Sequence, residues 1–237
     1  MIIVGHRGAR LEAPENTMAG FQHLRNLNIH HLELDIRISK DNHLMVIHDA
    51  TVDRTTAHKG HVSAHHADML VNMNAAHHFS SEQQTSGIPR LDDIFKTFPH
   101  LETIQLEVKT TEKDSLQRIA AQLAEMIERY AIQSKSVVTS SDPFLLAALQ
   151  NKYPTIKKGY VAKRFSRNPI GTCQRYHCQY LVVDWHRCTA KLIQQAHAAG
   201  LHVSAWTVNK INIAKRLRDA RIDSIITDVP SLMLAHL

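Results

Sequence analysis

Aromatic side chains are scarce: Phe, Tyr and Trp together make up 5% of the 237 residues. So small a share leaves no stacking platform interleaved with basic residues, as single-stranded nucleic-acid binders need. It argues against nucleic acid as a partner despite the formal net charge of +6. Lys and Arg are spread along the chain in short clusters such as Lys157-Lys158, Lys163-Arg164 and Lys215-Arg216-Leu217-Arg218, and a positive surface equally suits a small anionic substrate. There are 3 cysteines, an odd number with no CxxC pair, which speaks against a disulfide framework or a thiolate zinc site and for free thiols in a reducing compartment. Pro and Gly number 7 and 8 and do not cluster, so no linker or low-complexity segment divides the chain. No apolar run approaches the ~20 residues of a membrane span. The opening Met1-Ile2-Ile3-Val4-Gly5 is too short for a signal-peptide core and has no basic lead. A cytoplasmic protein without stable membrane insertion is expected.

What is present is a hydrophobic content of 43%, enough for a large core in one domain spanning residues 1–237. Short β-like runs alternate with amphipathic stretches. Strands are expected at Ile2–Val4, His31–Ile38, Leu44–Ile47, Thr103–Val108, Ser136–Thr139, Lys157–Val161, Tyr180–Val183, His202–Thr207 and Ser224–Thr227. Helices are expected near 17–27, 92–98, 114–130, 143–152, 190–199 and 211–219, the third with apolar Leu116, Ile119, Ala120, Leu123 and Ile127 at helical spacing. Such alternation implies a mostly parallel sheet with helices outside. So many strands in this length favour an α/β fold closed as a TIM-type (β/α)8 barrel over an open doubly wound sheet, which would place a Gly-rich phosphate loop after the first strand. Residues 49–87 break the rhythm and read as an inserted subdomain over the catalytic end.

The chemistry concentrates at strand ends. His6-Arg7-Gly8 follows the first strand: a guanidinium fork for anionic oxygens beside an imidazole that titrates near neutrality. Glu33 and Asp35 are two apart in an apolar strand, so both point to one face, where buried acids need cations or a metal. Glu107 and Lys109 repeat the device. They could be a simple internal ion pair, or Glu107 could join Glu33 and Asp35 as the oxygen set of a hard divalent cation, leaving Lys109 for a phosphate. His48-Asp49 adds a second histidine. Two histidines, three acids, an Arg and a Lys point to phosphoryl chemistry.

His6-Arg7-Gly8, Ala13-Pro14-Glu15-Asn16-Thr17, Glu33-Leu34-Asp35-Ile36, Val46-Ile47-His48-Asp49, Asp53-Arg54-Thr55-Thr56, Ile88-Pro89-Arg90-Leu91, Leu106-Glu107-Val108-Lys109 and Ala205-Trp206-Thr207-Val208-Asn209 together resemble the glycerophosphodiester phosphodiesterase family, in the family's order and over nearly the whole chain. The resemblance implies a TIM barrel with an inserted subdomain. It implies hydrolysis of a small-molecule glycerophosphodiester to sn-glycerol 3-phosphate and an alcohol, with one divalent cation, Mg²⁺ or Ca²⁺. It assigns the metal to Glu33, Asp35 and Glu107, proton transfer to His6 and His48, and phosphate contact to Arg7 and Lys109. It places Trp206 in the pocket and Glu15 and Asn16 in support. The chain departs from the family where Thr56-Ala57-His58-Lys59-Gly60 replaces an Asn-Gly turn, and in a histidine-rich insertion (His58, His61, His65, His66, His77, His78) that reads as surface histidine rather than a second metal site.

Two other readings compete. A lysophospholipase D-like enzyme on the same barrel would show an apolar rim on the insertion, for which Met69-Leu70-Val71 is the candidate. A non-catalytic anion-binding module would fit the charge but not the intact set of His6, Glu33, Asp35, His48 and Glu107.

Overall fold

The computed structural model describes residues 1–79, 85–109 and 113–237, so part of the 49–87 insertion lies outside the described residues. Along the chain the elements are β1 (Ile2–His6), α1 (Met18–Asn26), β2 (His31–Ile38), β3 (Leu44–Val46), α2 (Ala67–Asn72), α3 (Leu91–Thr97), β4 (Thr103–Val108), α4 (Lys113–Arg129) and β5 (Ser136–Ser140). They continue with α5 (Pro143–Lys152), β6 (Lys158–Ala162), α6 (Pro169–Arg175), β7 (Tyr180–Asp184), α7 (Ala190–Ala198), β8 (His202–Trp206), α8 (Ile211–Asp219), β9 (Ser224–Thr227) and α9 (Pro230–His236).

Eight strands run parallel in the order β1-β9-β8-β7-β6-β5-β4-β2, and β2 pairs with β1 to close a TIM barrel. Residues of one parity along each strand face the helices. Leu32, Leu34 and Ile36 are at most 1% exposed and pack with Leu116, Ile119, Leu123 and Ile127 of α4 in one core layer. Burying each such aliphatic chain is worth about 1.5–3 kcal/mol. The opposite parity faces the barrel axis, where Val4, Val161, Val182 and Ile226 form a small apolar plug. Above it the inward positions become polar: His6, Glu33, Asp35, Glu107 and Lys109.

Two elements differ from their expected form. The run Leu44–Ile47 is not a barrel strand. β2 continues past the mouth, turns at Asp41-Asn42, and β3 returns antiparallel to it, with Ile36 level with Val46. Pro89 O accepts from Val46 N at 2.9 Å on the other edge of β3, so Ile88-Pro89-Arg90-Leu91 ends the insertion by fastening this hairpin. The second correction concerns the rim. Leu70 is fully buried and Val71 half-buried in the insertion's own core with Met45, Ile47, Val52 and Val62, leaving Met69 alone exposed at 54%, so Met69-Leu70-Val71 is no apolar rim. Helices α6 and α9 had no sequence counterpart. Pro at the first turn starts each one, and the Asn168 side chain caps α6 by accepting from Gly171 N.

Candidate active site

Strand register brings the inward residues together. β1 and β2 pair with His6 level with Glu33, and β2 and β4 pair with Asp35 level with Glu107. One oxygen from each of Glu33, Asp35 and Glu107 lies within 4.8 Å of the others. Asp35, fully buried, is held by Lys109 Nζ at 2.8 Å on Oδ1 and by Arg7 Nε at 3.0 Å on Oδ2. The Asn16 side-chain amide also donates to Oδ2 at 2.8 Å. Burial alone would raise its pKa, but Lys109 and Arg7 hold the carboxyl far below the usual carboxylate range. Lys109 also donates to Glu107 Oε1 at 2.6 Å. Burial is likewise opposed there by Asp35 and Glu107, and the ammonium pKa ends raised.

Glu33 is treated differently. Its Oε2 accepts from Arg7 N at 3.0 Å, while its buried Oε1 has no partner. Burial, then the charges of Asp35 and Glu107, push its carboxyl well above the ordinary range. Three carboxylates face Arg7 and Lys109, and Arg37 stands near Asp35 and Glu107. The orphaned Glu33 oxygen, with oxygens of two further carboxylates in one close cluster, is what an oxygen-bound divalent cation would satisfy, so the donor set fits one.

The loop after β1 has a shape that sequence spacing did not reveal. Arg7 has φ 52°, Gly8 φ 90° and Asn16 φ 53°. At Gly8 an added Cβ would also lie 3.0 Å from the Gly20 backbone in α1, so glycine is required twice over. The left-handed Arg7 is pinned through its backbone to Glu33 and through its side chain to Asp35 and Glu15, the last at 2.9 Å. Glu15 gathers Arg7, Arg10 and, across 39 residues, Arg54. Burial works against its ionisation, but Arg54 and Arg7 bring its pKa down to about 2.

The histidines stand on separate supports. His6 Nδ1 lies 2.5 Å from Asp228 Oδ1, and its Nε2 is 3.9 Å from Glu33 Oε2. Asn209 donates to the other oxygen of Asp228 at 2.7 Å. His48 arrives by the returning hairpin, which sets it beside β2 rather than at the end of a barrel strand. Its Nδ1 is 2.7 Å from Asp49 Oδ1, and Arg54 grips Asp49 Oδ2 at 2.6 Å. Burial lowers the His48 pKa, with Asp35 opposing and Arg7 assisting. Arg37 donates Nε to the His48 carbonyl at 2.8 Å. Both imidazoles therefore have a carboxylate on Nδ1, the arrangement that fixes ring orientation.

A cavity of about 410 Å³ opens at this end of the barrel, lined by His6, Arg7, Glu33, His48, Glu107, Lys109 and Trp206 among others. Asp35 sits beneath them, and Glu15 and Asn16 stand behind the first loop. The Trp206 Nε1–H is buried without a partner. Sequence reasoning missed Asp228 and Arg37, and named Asp49, Arg54 and Asn209 only within motifs, without a role. Asp228 follows the last strand with the parity of Ser224 and Ile226, the same signal that marks Glu33 and Asp35. Five of the insertion histidines are exposed and His65 is half-buried. Among the described residues, the carboxylate trio is the one cluster with metal-ligand geometry.

The family model described as the glycerophosphoryl diester phosphodiesterase family matches residues 6–232. The chain is similar to the glycerophosphodiester phosphodiesterase of Caldanaerobacter subterraneus subsp. tengcongensis, at 26% identity over 98% of this chain and 96% of that one. It is similar to a lysophospholipase D of Rattus norvegicus, at 30% identity over 96% of this chain and 83% of that one. An Oleispira antarctica phosphodiesterase solved with its product sn-glycerol-3-phosphate shares the fold, with a TM-score of 0.90 and 21% identity, covering 100% of this chain and 96% of that one. The barrel, the carboxylate cluster at its mouth and a family match across nearly its whole length make this chain a member of the glycerophosphoryl diester phosphodiesterase family, a phosphoric diester hydrolase.

Proposed function

We propose that the chain hydrolyses glycerophosphodiesters to sn-glycerol 3-phosphate and an alcohol, with one divalent cation, Mg²⁺ or Ca²⁺, held by Glu33, Asp35 and Glu107. The observation that carries this reading is the convergence of His6 and His48, from two different segments, on one cavity walled by Glu33, Glu107, Arg7 and Lys109. When bound there, a cation supplies Lewis-acid polarisation of a phosphoryl oxygen and acidifies an attacking hydroxyl or water. Arg7 and Lys109 offset charge on the phosphate oxygens, and Trp206 closes the wall with its free N–H. One imidazole takes the proton from the attacking oxygen and the other delivers a proton to the departing alkoxide as its P–O bond breaks. Asp228 and Asp49 hold the two rings in place for this exchange. If the glycerol 2-hydroxyl is the attacking oxygen, a cyclic phosphate forms and water then opens it. A 2-deoxy substrate analogue cleaved at the normal rate rules that route out.

Residues 1–237 are read as one catalytic domain with 49–87 inserted. The three cysteines are buried and unpaired, which supports a reducing cytoplasmic setting. Among the described residues no helix is long and apolar enough to cross a membrane.

The test is glycerol 3-phosphate release from a panel of head groups, with and without chelator. Chelation is expected to abolish release, and Mg²⁺ or Ca²⁺ to restore it. Full turnover in the metal-stripped enzyme would defeat the metal assignment and leave the histidines to act alone.

A further inference from the structure

The loop after β6 has a surface that hydrolysis does not use. Lys163, Arg164, Phe165 and Arg167 are all exposed, and Phe165 is 88% exposed, the most of any large apolar side chain described. The loop is built, not loose. Ser166 N donates to Lys163 O at 3.0 Å, closing a four-residue turn with Arg164 and Phe165 at its tip. The Ser166 hydroxyl lies 3.1 Å from the Tyr160 hydroxyl, and Arg187 donates to the Ser166 carbonyl. Anchored from both sides, the turn holds Phe165 away from the protein. Among the described residues, no acid pairs with Lys163, Arg164 or Arg167, and the nearby acid Asp184 is committed to His186 at 2.7 Å.

This loop borders the catalytic opening. Lys163 continues the inward parity of Gly159 and Val161 and lines the cavity, and Arg10 lines it from the loop after β1. Beside Arg10 stands Leu11, 62% exposed. Two loops at one mouth therefore each present an outward apolar side chain; the β6 loop adds exposed Lys163, Arg164 and Arg167, while Arg10 is held by Glu15 at 3.1 Å. Aromatic and aliphatic tips flanked by Lys and Arg match the boundary layer of an anionic membrane, where rings settle at headgroup depth and cations meet lipid phosphates.

We propose that the barrel mouth docks on an anionic phospholipid bilayer through Phe165 and Leu11, with Arg164 and Arg167 on lipid phosphates. Docked this way, the enzyme takes its phosphodiester from a lysophospholipid at the surface as well as from solution. The inference rests on the proposed hydrolysis and names where its substrate resides. A convex tip carrying one ring is accepted by a fluid headgroup layer, whereas a folded protein partner needs a pocket matched to it. The docking is peripheral and reversible, since it uses side chains of two loops.

Each basic residue near an anionic surface multiplies partitioning about fivefold, and burying the ring contributes about tenfold or more. The full chain is sedimented with phosphatidylglycerol-containing vesicles and with pure phosphatidylcholine vesicles at low salt. Binding is expected to the first and not to the second, and to weaken as salt rises. Phe165→Ser is expected to weaken it about tenfold, and the double variant Arg164→Glu, Arg167→Glu at least about 25-fold. Both variants should turn over a soluble glycerophosphodiester at the wild-type rate while losing hydrolysis of vesicle-borne lysophosphatidylglycerol in step with binding. Equal binding of wild type to both vesicle types overturns the proposal. So does loss of binding on charge reversal with no change in Phe165→Ser, which would mark a purely electrostatic site for an acidic partner. If wild type cleaves no glycerophosphodiester at all, the hydrolytic reading fails, while vesicle binding still judges the surface on its own.

Discussion

The two halves of the barrel mouth carry different kinds of side chain. At the mouth, β1, β2, β4 and the end of β9 present His6, Glu33, Asp35, Glu107, Lys109 and Asp228, all ionisable and each tied to another. On β5 to β8 they are Thr139, Ser141, Lys163, Asp184 and Trp206, three of the five neutral. Charges at a barrel axis are tolerated only in mutual contact, so most of the ionisable groups gather in one sector, where register sets His6 beside Glu33 and Asp35 beside Glu107. The neutral sector has no such constraint. Chemistry is confined to one side, and the other can shape the alcohol site with little cost to the fold.

The largest effect that tests this division is on the histidines. His6→Ala and His48→Ala should each lower kcat by about 10²–10⁴, with metal affinity near wild type. Melting temperature should stay near wild type for the half-exposed His48, while His6→Ala leaves the buried Asp228 carboxylate without its imidazole and should lower it. The double variant should lose less than the product, because groups acting as a unit are not additive. A single variant with near-normal kcat, or one that loses its metal, would move that histidine out of the chemical step.

Within the charged sector, Asp35 and Glu107 should separate. Asp35→Ala leaves Arg7 and Lys109 facing each other without their shared buried carboxylate, and should cost about 3–5 kcal/mol of stability in urea titration. Glu107 is half-buried, so Glu107→Gln should abolish turnover while unfolding stays close to wild type. Equal destabilisation by both would show that the trio is a single structural unit.

Glu15 gives the sector a pH signature. Its pKa falls from 4.5 to about 2 in the fold, so its contribution is fully present above pH 4.5 and is lost as pH falls through 2. The ion pairs with Arg54 and Arg7 are worth at most about 3 kcal/mol in this way. Glu15→Gln should flatten the acid limb of stability by about that amount, followed by denaturation at a series of pH values. An unchanged limb would place the acid sensitivity elsewhere.

The smallest effect should come from the neutral sector. Lys163 is exposed, so Lys163→Ala should change KM among soluble head groups by about fivefold or less, with kcat and inhibition by glycerol 3-phosphate unchanged. A large fall in kcat would bring Lys163 into the reaction and erase the contrast between the halves.

Much of this was legible in local patterns. The alternation of β-branched runs with helical spacing specified the barrel, because each period answers to which face of its own element is buried. The two-residue spacing of Glu33 with Asp35 and of Glu107 with Lys109 put each pair on an inward face before any strand was paired. Asp228 carried the same parity signal, but a single acid after a short strand says nothing without knowledge of its neighbour. Its partner His6 is 222 residues away, and they meet because barrel closure sets β9 beside β1. The delivery of His48 has the same origin: Leu44–Ile47 reads as one more strand, and its direction depends on the hairpin with β2 and on the Pro89 carbonyl at its far edge. The burial of Leu70 and the outward ring of Phe165 reverse what their composition suggests for the same reason. Which face an element buries is written in its own spacing, but which groups meet there depends on register and closure between strands far apart in the chain.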